Sequence, residues 1–366
     1  MENIKNLLNT EYIMIFGAKA TIGLKHRNFG LHIEDEIHKY GKKVTCYVVS
    51  SKENNPDSVD GVPVKEISEI PENYKREGVI VISNALNRQD EIGSMLNERG
   101  FQHILYGVRR YSNLSIYEKE CYKQYGWNIS MEYISGIYEE RATIDNLSLY
   151  VVTSHNNTRK TAQMFESKMA HYIQAGSALT DMTVCDIKDN MGTNISSKNP
   201  LYCEISAGYW IYKNDNIHDY VGLYHYSRVF DLSDDEILKI LNSGIDAILA
   251  EPVIYFARRG HYWCNDTLLQ QVFEKKSPQY MECFNNYINE GLFIPSNMVI
   301  CSKKIYDNYY QWMMSILEKY EQELNTRNVE IMPRMLGYIA EELTGIYFLN
   351  HSADLNLLFV KQRFTF

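Results

Sequence analysis

Short apolar runs broken by glycine or polar turns set the rhythm of the first hundred residues. Tyr12-Ile-Met-Ile-Phe16 stops at Gly17-Ala-Lys-Ala-Thr-Ile-Gly23; a helical-period stretch from Leu31 to Tyr40 follows, then Gly41 and a second run, Val44 to Val49. Val79 to Ser83 predicts a third strand, Glu91 to Arg99 a helix closed by Gly100, and Ile104 to Tyr106 a fourth strand. Strands alternating with helices make a parallel α/β unit, here a Rossmann-like domain over residues 1–110. Residues 111–145, rich in Tyr, Glu and Lys without a strand pattern, are expected to form a helical connector.

The pattern resumes at Leu147 to Thr153, a clear strand that ends in Ser154-His-Asn-Asn-Thr158, a polar turn that predicts a helix from Lys160 to Ile173. Asp181 to Asn194 is a polar loop carrying Asp186, Asp189 and Asn190 at spacings that fit no calcium loop. Ser196 or Ser197 then caps a helix starting near Pro200, with Leu201, Ile205, Gly208 and Tyr212 on its core side and Glu204 off it. Asp219 to Tyr224 predicts a buried strand in which Gly222 admits a close neighbour, and it hands over to His225-Tyr-Ser-Arg228. Further strands are expected at Asp246 to Ala250, ending in Glu251, and at Asn297 to Cys301. A long helix runs from Lys303 to Leu324, and a last one spans 332–348 with Arg334 and Glu341 on one face. Residues 146–366 thus read as a second α/β domain.

Composition narrows the chemistry. The chain has 366 residues, 45% hydrophobic and 23% charged, as in globular proteins, and a net charge of -9 without a basic block, so no nucleic-acid partner is expected. Its seven cysteines are scattered without a C-x-x-C pair, which fits reduced thiols rather than a zinc site and leads us to expect a cytoplasmic protein. The 29 tyrosines suit core filling as well as sugar or base stacking. In the first domain the glycines are spaced G-x5-G, and the second strand ends in Val49-Ser50-Ser51 with no acid for a ribose hydroxyl. Both parts of the dinucleotide fingerprint are missing, so an accessory domain is preferred to an NAD(P) site.

Candidate chemistry gathers past the strand ends of the second domain. Ser154, His155 and Asn156 follow its first strand, where a base or ribose can dock. His225 and Arg228 suit a diphosphate, Arg228 through bidentate hydrogen bonds, with Asn194 and Asn199 upstream. In the loop from Arg258 to Asp266, Tyr262 and Trp263 offer flat faces to a sugar and Asp266 a carboxylate. Glu251 and Asp266 are candidate bases, and Glu341 with Arg334 a wall of the same pocket.

From about Leu147 to Asn350 the chain resembles a bacterial family long labelled a domain of unknown function, met in capsular and exopolysaccharide gene clusters and treated as glycosyltransferases. The resemblance rests on Asn194-Ile-Ser, Asn199, Tyr202-Cys-Glu204, Tyr209-Trp210, Lys213-Asn214, and Gly222 through His225-Tyr226 to Arg228. It continues with Asn297-Met-Val-Ile and Arg334-x-x-Gly337-x-x-x-Glu341. The family usually has two basic residues after the His-Tyr pair; here Ser227 takes the first position and Arg228 keeps the second. The resemblance implies a GT-A-like fold and transfer of a hexose, galactofuranose among the options, from a nucleotide-sugar donor, expected to be UDP-linked. The implied acceptor is a growing polysaccharide or lipid-linked oligosaccharide at the inner face of the membrane, with peripheral membrane contact open. The D-x-D metal motif of that fold is absent and His225-Tyr-Ser stands in its place, so no metal ligand is assigned and dependence on Mn or Mg stays open. Two other classes stand beside this reading: an NAD(P)-dependent nucleotide-sugar oxidoreductase or epimerase, and a non-catalytic glycan-binding scaffold.

Overall fold

A computed structural model of the chain describes residues 10–18, 29–83, 86–133, 143–157, 167–256 and 266–364. The fold divides into two compact units. One comprises Met1–Asn113, Val253–Trp263 and Ile288–Leu292, and the other comprises Leu114–Pro252, Cys264–Tyr287 and Phe293–Phe366.

The first unit is a doubly wound sheet. Its strands are β1 (Ile13–Phe16), β2 (Cys46–Val49), β3 (Ser58–Val59), β4 (Val62–Glu66), β5 (Val79–Ile82) and β6 (His103–Tyr106), in the order β3-β4-β2-β1-β5-β6. All neighbours pair in parallel except β3 with β4. The order reverses at β1, as in Rossmann-like sheets. Alternation along each strand explains the two-sided burial. Ile13, Ile15, Tyr47, Val49, Val79 and Val81 pack on one face with Ile33 and Ile37 of helix α1 (Phe29–Lys39). Met14, Phe16, Cys46, Val48, Ile80 and Ile82 pack on the other with Ile92 and Leu96 of α2 (Leu86–Glu98). Val253–Tyr255 also belongs to this unit and pairs with Val108–Arg110. The glycine turn after β1 lies largely outside the described residues.

The second unit holds a nine-stranded mixed sheet. Along the chain its strands are β7 (Leu147–Thr153), β8 (Ala170–Gln174), β9 (Ile187–Lys188), β10 (Tyr220–His225), β11 (Arg228–Phe230), β12 (Ala247–Ala250), β13 (Val299–Ser302), β14 (Leu357–Val360) and β15 (Gln362–Phe364). The order is β9-β8-β7-β10-β13-β12-β14, with β11 bridging β10 and β15. β13 runs antiparallel between the otherwise parallel β10 and β12, so its start lies at the end where they finish. Gly222 sits on β10 where an added Cβ would meet a Leu149 methyl carbon at 2.6 Å, the close approach its position in the strand implied. Helices α3 (Asn199–Tyr202), α4 (Ile205–Asn214), α5 (Asp266–Lys276), α6 (Lys303–Thr326) and α7 (Met335–Asn350) complete the part that concerns the site.

Three expectations change. Residues 170–173, read as the end of a helix, are strand β8, paired with β7 from Leu149↔Ala170 onward. Sheet pairing overrides the short helical pattern there. The helix expected from Pro200 is broken: α3 ends at Cys203, whose φ of 52° and ψ of -133° leave helical space before α4 begins. Arg334 does not share a helix face with Glu341, because it stands before α7 with a left-handed φ of 66°.

The tyrosines are mainly structural where they are described. Tyr47, Tyr202, Tyr224, Tyr287, Tyr306, Tyr309, Tyr310 and Tyr320 are among the largest fully buried side chains. Among the described residues no helix is long and apolar enough to cross a membrane.

Asp189 explains why the polar stretch before α3 is ordered. Fully buried, it accepts hydrogen bonds from the amides of Gly176 (2.9 Å) and Ser177 (3.0 Å) and from the hydroxyls of Ser196 and Ser206. Asp189→Ala leaves these four donors without their acceptor. It should cost about 3 kcal/mol or more in a urea titration, since each orphaned buried donor costs about 1–3 kcal/mol; an unchanged midpoint would remove Asp189 from the folding argument.

Candidate active site

The carboxyl ends of the parallel strands in the second unit carry the densest polar cluster. His225 closes β10, and a two-residue turn brings Arg228 opposite it at the start of β11. Directly opposed antiparallel residues project to the same face, so the imidazole and guanidinium are neighbours. Three residues given no site role above, Glu204, Ser296 and Asn297, converge with them. Arg228 Nη1 donates to Ser296 Oγ at 2.9 Å, and Asn297 Nδ2 donates to Glu204 Oε1 at 2.7 Å. Glu204 Oε1 in turn lies 3.6 Å from His225 Nε2. Arg334 lies near enough to Cys203 and Glu204 for each to raise its pKa, and its guanidinium lies 5.1 Å from the centre of the Tyr338 ring.

Backbone strain concentrates in this cluster. Cys203 (φ 52°), Ser296 (84°) and Arg334 (66°) are left-handed although none is glycine, and Asn297 beside them (49°) is left-handed in a residue type that tolerates it. Such conformations cost about 1–3 kcal/mol each and persist where surrounding structure imposes them, commonly at functional sites. The other non-glycine cases, Asn54, Asp60 and Asn328, are Asn or Asp, which tolerate the conformation. Gly337 of α7 packs against Cys203 so closely that an added Cβ would lie 3.0 Å from both its Cβ and Sγ. That turn releases Glu204 from the helix, where the sequence had suggested only a favourable dipole position, and aims its carboxylate across to Asn297.

Electrostatics separate the roles. Burial pushes the His225 imidazole below its usual pKa; Glu204 pulls it up, while Arg228 and Arg334 push it down. A neutral imidazole brings no charge to a diphosphate, so the fixed positive charge of the cluster comes from Arg228 and Arg334. Burial raises the Cys203 thiol to about 12, which keeps it protonated beside Arg334. The His225 shift also sets a pH dependence. The unfolded chain takes up a proton near pH 6.5 while folded His225 resists it, so this contribution is intact above that pH and lost as pH falls through the window below it. His351, also depressed by burial, acts with the same sign. Urea midpoints at pH 7.5 and 5.5 should therefore fall less steeply for His225→Asn than for the wild type; equal slopes would contradict the assignment.

The remaining candidates divide. Ser154, His155 and Asn156 follow β7 at the same sheet end as His225, since β7 pairs in parallel with β10 at Val152↔His225. Thr153 Oγ1, His155 Nδ1 and His225 Nε2 are buried there without a hydrogen-bond partner. Buried polar atoms are seldom left so, and where they are a ligand or water commonly completes them. Glu251 follows β12 at this end but is only 2% exposed. Glu341 lies on α7 close enough to Cys203 to raise its thiol pKa. Asn194 and Asn199 are spent on their own loops: Asn194 Nδ2 donates to the carbonyls of Asn190 and Gly192, and Asn199 Nδ2 to the Cys203 carbonyl and Ser206 Oγ. Asp266 begins α5, and its side chain lies outside the described residues, as do Tyr262 and Trp263.

Sequence reasoning assigned no site role to Glu204, Ser296 or Asn297, although Glu204 and Asn297 belong to the motifs quoted above. Pro295-Ser-Asn directly before an apolar run was the available signal, because asparagine at a strand start suits a left-handed turn. Among the described residues no group of three or more His, Cys, Asp or Glu is placed to hold a metal ion. His225 and Glu204 would offer one donor each, but Arg228 and Arg334 bear on the same imidazole, so these residues do not form a cation cradle.

Comparison with known proteins places the fold. A solved structure of the WbbM bifunctional glycosyltransferase in its apo form superposes with a TM-score of 0.50 at 23% identity, over 60% of this chain and 45% of that one. The chain thus spans under half the length of that relative. The mannosyltransferase Ktr4p of S. cerevisiae aligns over 57% of this chain and 73% of its own, at 9% identity and a TM-score of 0.29, too low to bear on the fold. No curated protein matches the chain. The mixed sheet with its parallel strands is an α/β fold shared with the WbbM structure. The family model described as "Domain of unknown function (DUF4422)" matches residues 150–352, more than half of the sequence, and the chain belongs to that family.

Proposed function

We propose that this protein is a glycosyltransferase that moves a hexose from a nucleotide-sugar, with UDP as the expected carrier, to a growing capsular or exopolysaccharide acceptor. The observation that carries the reading is the pairing of two arginines with unpartnered buried polar atoms at the carboxyl ends of the parallel strands of one mixed sheet, where α/β folds bind nucleotides. Arg228 and Arg334 supply the positive charge that a departing diphosphate requires as the sugar–phosphate bond breaks. Ser154, His155 and Asn156 border the place for base and ribose. Two arginines do here what a D-x-D motif with a metal ion does in GT-A-like enzymes.

Among carboxylates, Glu204 is better placed than Glu251 to take the acceptor's proton. It is part of the cluster and 13% exposed, whereas Glu251 is buried. In an inverting transfer the acceptor oxygen bonds to the anomeric carbon, its proton passes to Glu204, and the C–O bond to phosphate breaks with its electron pair leaving on the nucleoside diphosphate. Glu341 and Asp266 remain candidates for the acceptor side. Residues 1–110 serve as an accessory domain.

A thermal-shift screen over nucleotide-sugars, with and without manganese, tests the reading. It expects stabilisation by at least one nucleotide diphosphate sugar and none by NAD(P). Stabilisation by NAD(P) alone would favour the oxidoreductase reading, and no response to any nucleotide would favour a scaffold.

A further inference from the structure

Behind Glu204 a chain of buried polar groups leads away from the cluster into the helices. Asn297 is 1% exposed and left-handed, and its amide joins two elements. Nδ2 donates to Glu204 Oε1 at 2.7 Å, while Oδ1 accepts from Thr344 Oγ1 of α7 at 2.8 Å. Thr344 Oγ1 in turn shares a hydrogen bond of 2.5 Å with the Tyr309 hydroxyl of α6. Thr344 is fully buried, as is Tyr309, which is packed against Tyr310, Tyr347 and Phe348. Core packing against apolar neighbours asks for no such relay; Val and Phe would fill the same volume without it. Thr344 Oγ1 stands 2.8 Å from both Asn297 Oδ1 and the Ala340 carbonyl, so its one proton serves either; when it goes to Asn297, whose amide oxygen can only accept, the NH2 of the amide faces Glu204 and also reaches the Gly337 carbonyl at 3.4 Å. The direction of the last hydrogen bond is thereby set from inside the core.

We propose that Asn297 is a positioning residue, oriented by Thr344 and Tyr309, that holds the Glu204 carboxylate beside His225, in the position from which it takes the acceptor's proton. This rests on the glycosyltransferase reading for the reaction, but its structural part stands alone. Without the relay the amide keeps only the long 3.4 Å contact of Nδ2 with the Gly337 carbonyl against rotation, and rotation presents its oxygen to a carboxylate, which repels it. Glu204 then leaves the position in which it faces His225. A misplacement of about 1 Å in a catalytic group can cost about 100-fold in rate, and loss of a general base typically about 100-fold or more.

The experiment compares Thr344→Val, Thr344→Ser, Tyr309→Phe and Glu204→Gln in the full chain by two readouts. The first is the pH titration of the His225 imidazole by NMR. The charged groups facing it are Glu204, Arg228 and Arg334; those bearing on Glu204 are Cys203, His225, Tyr309, Tyr310 and Arg334. Because Glu204 raises the His225 midpoint, Glu204→Gln lowers it, and Thr344→Val should lower it in the same direction while Thr344→Ser leaves it at the wild-type value. The second is steady-state transfer from the nucleotide-sugar that the screen identifies. Thr344→Val is expected to reduce kcat about tenfold with the donor KM within about twofold, since the relay does not touch the diphosphate. A folded Thr344→Val that titrates like the wild type overturns the proposal, as does one whose loss falls on donor KM. If Thr344→Val fails to fold, Tyr309→Phe, which removes only the outer hydroxyl, must shift His225 in the same direction, and an unshifted midpoint is equally fatal. A wild type that binds no nucleotide-sugar refutes the glycosyltransferase reading and leaves the NMR comparison to decide the relay.

Discussion

Arg228→Ala is expected to lower transfer by at least about 100-fold and to abolish most of the affinity for the donor's diphosphate. The estimate follows from removing a charge-assisted donor aimed at developing negative charge, typically worth about 3–4 kcal/mol in the transition state. Ser296, which receives the Arg228 Nη1 hydrogen bond, pins the guanidinium beside His225. The Phe364 ring, centred 5.7 Å from its carbon, covers one side. Lysine cannot reproduce that fork, so Arg228→Lys should recover only a small part of the loss. Far-ultraviolet circular dichroism and the urea midpoint of both variants should remain close to wild type, because a half-buried surface arginine contributes little to stability. Wild-type transfer by Arg228→Ala would remove the diphosphate role outright.

The second large effect concerns stability. Gly208→Ala should cost about 3 kcal/mol or more and leave little folded protein at elevated temperature. An alanine Cβ at 208 would lie 1.7 Å from the Tyr310 hydroxyl oxygen and 2.5 Å from the ring carbon bearing it. Tyr310 cannot step aside: it is fully buried, stacks on Tyr306 with centroids 4.5 Å apart, and meets Tyr309 edge-on. Overpacking of this kind forces backbone shifts that cost about 1–3 kcal/mol even when a site can adjust. The double variant Gly208→Ala/Tyr310→Phe removes the worst overlap and should recover part of the midpoint in urea. Since α4 begins one residue after Glu204, any shift of that helix also moves the carboxylate, and residual folded Gly208→Ala should transfer poorly.

Much of the architecture was legible along the chain, because sheets buried on both faces leave continuous apolar runs and long amphipathic helices leave a clear period. β1, β5, β7 and β10, and the long helix from Lys303, stand close to where the pattern set them. The exceptions share a cause. Residues 170–173 joined a sheet through pairing with β7, and the helix breaks at Cys203, against which Gly337 of a distant helix is closely packed. Neither partner is near in sequence, so no local pattern encodes the outcome. The candidate site was legible by half. His225 and Arg228 mark a strand end by their spacing, and the structure brings Arg334 to them. Glu204 and Asn297 were hidden because each looked locally satisfied, one as a helix-start acid and the other as the first residue of a strand. Asn194 and Asn199 show the reverse: polar residues in a motif, consumed by their own turns. Asp189 likewise proved to be the buried acceptor that orders its loop.

The most direct test of the account is calorimetric titration of the wild type, Arg228→Ala and Arg334→Ala with UDP and with UDP-hexoses. The account predicts saturable binding of at least one of these ligands by the wild type and loss of most of that affinity in both variants. Undiminished affinity in the two arginine variants, or no binding by the wild type, would contradict it.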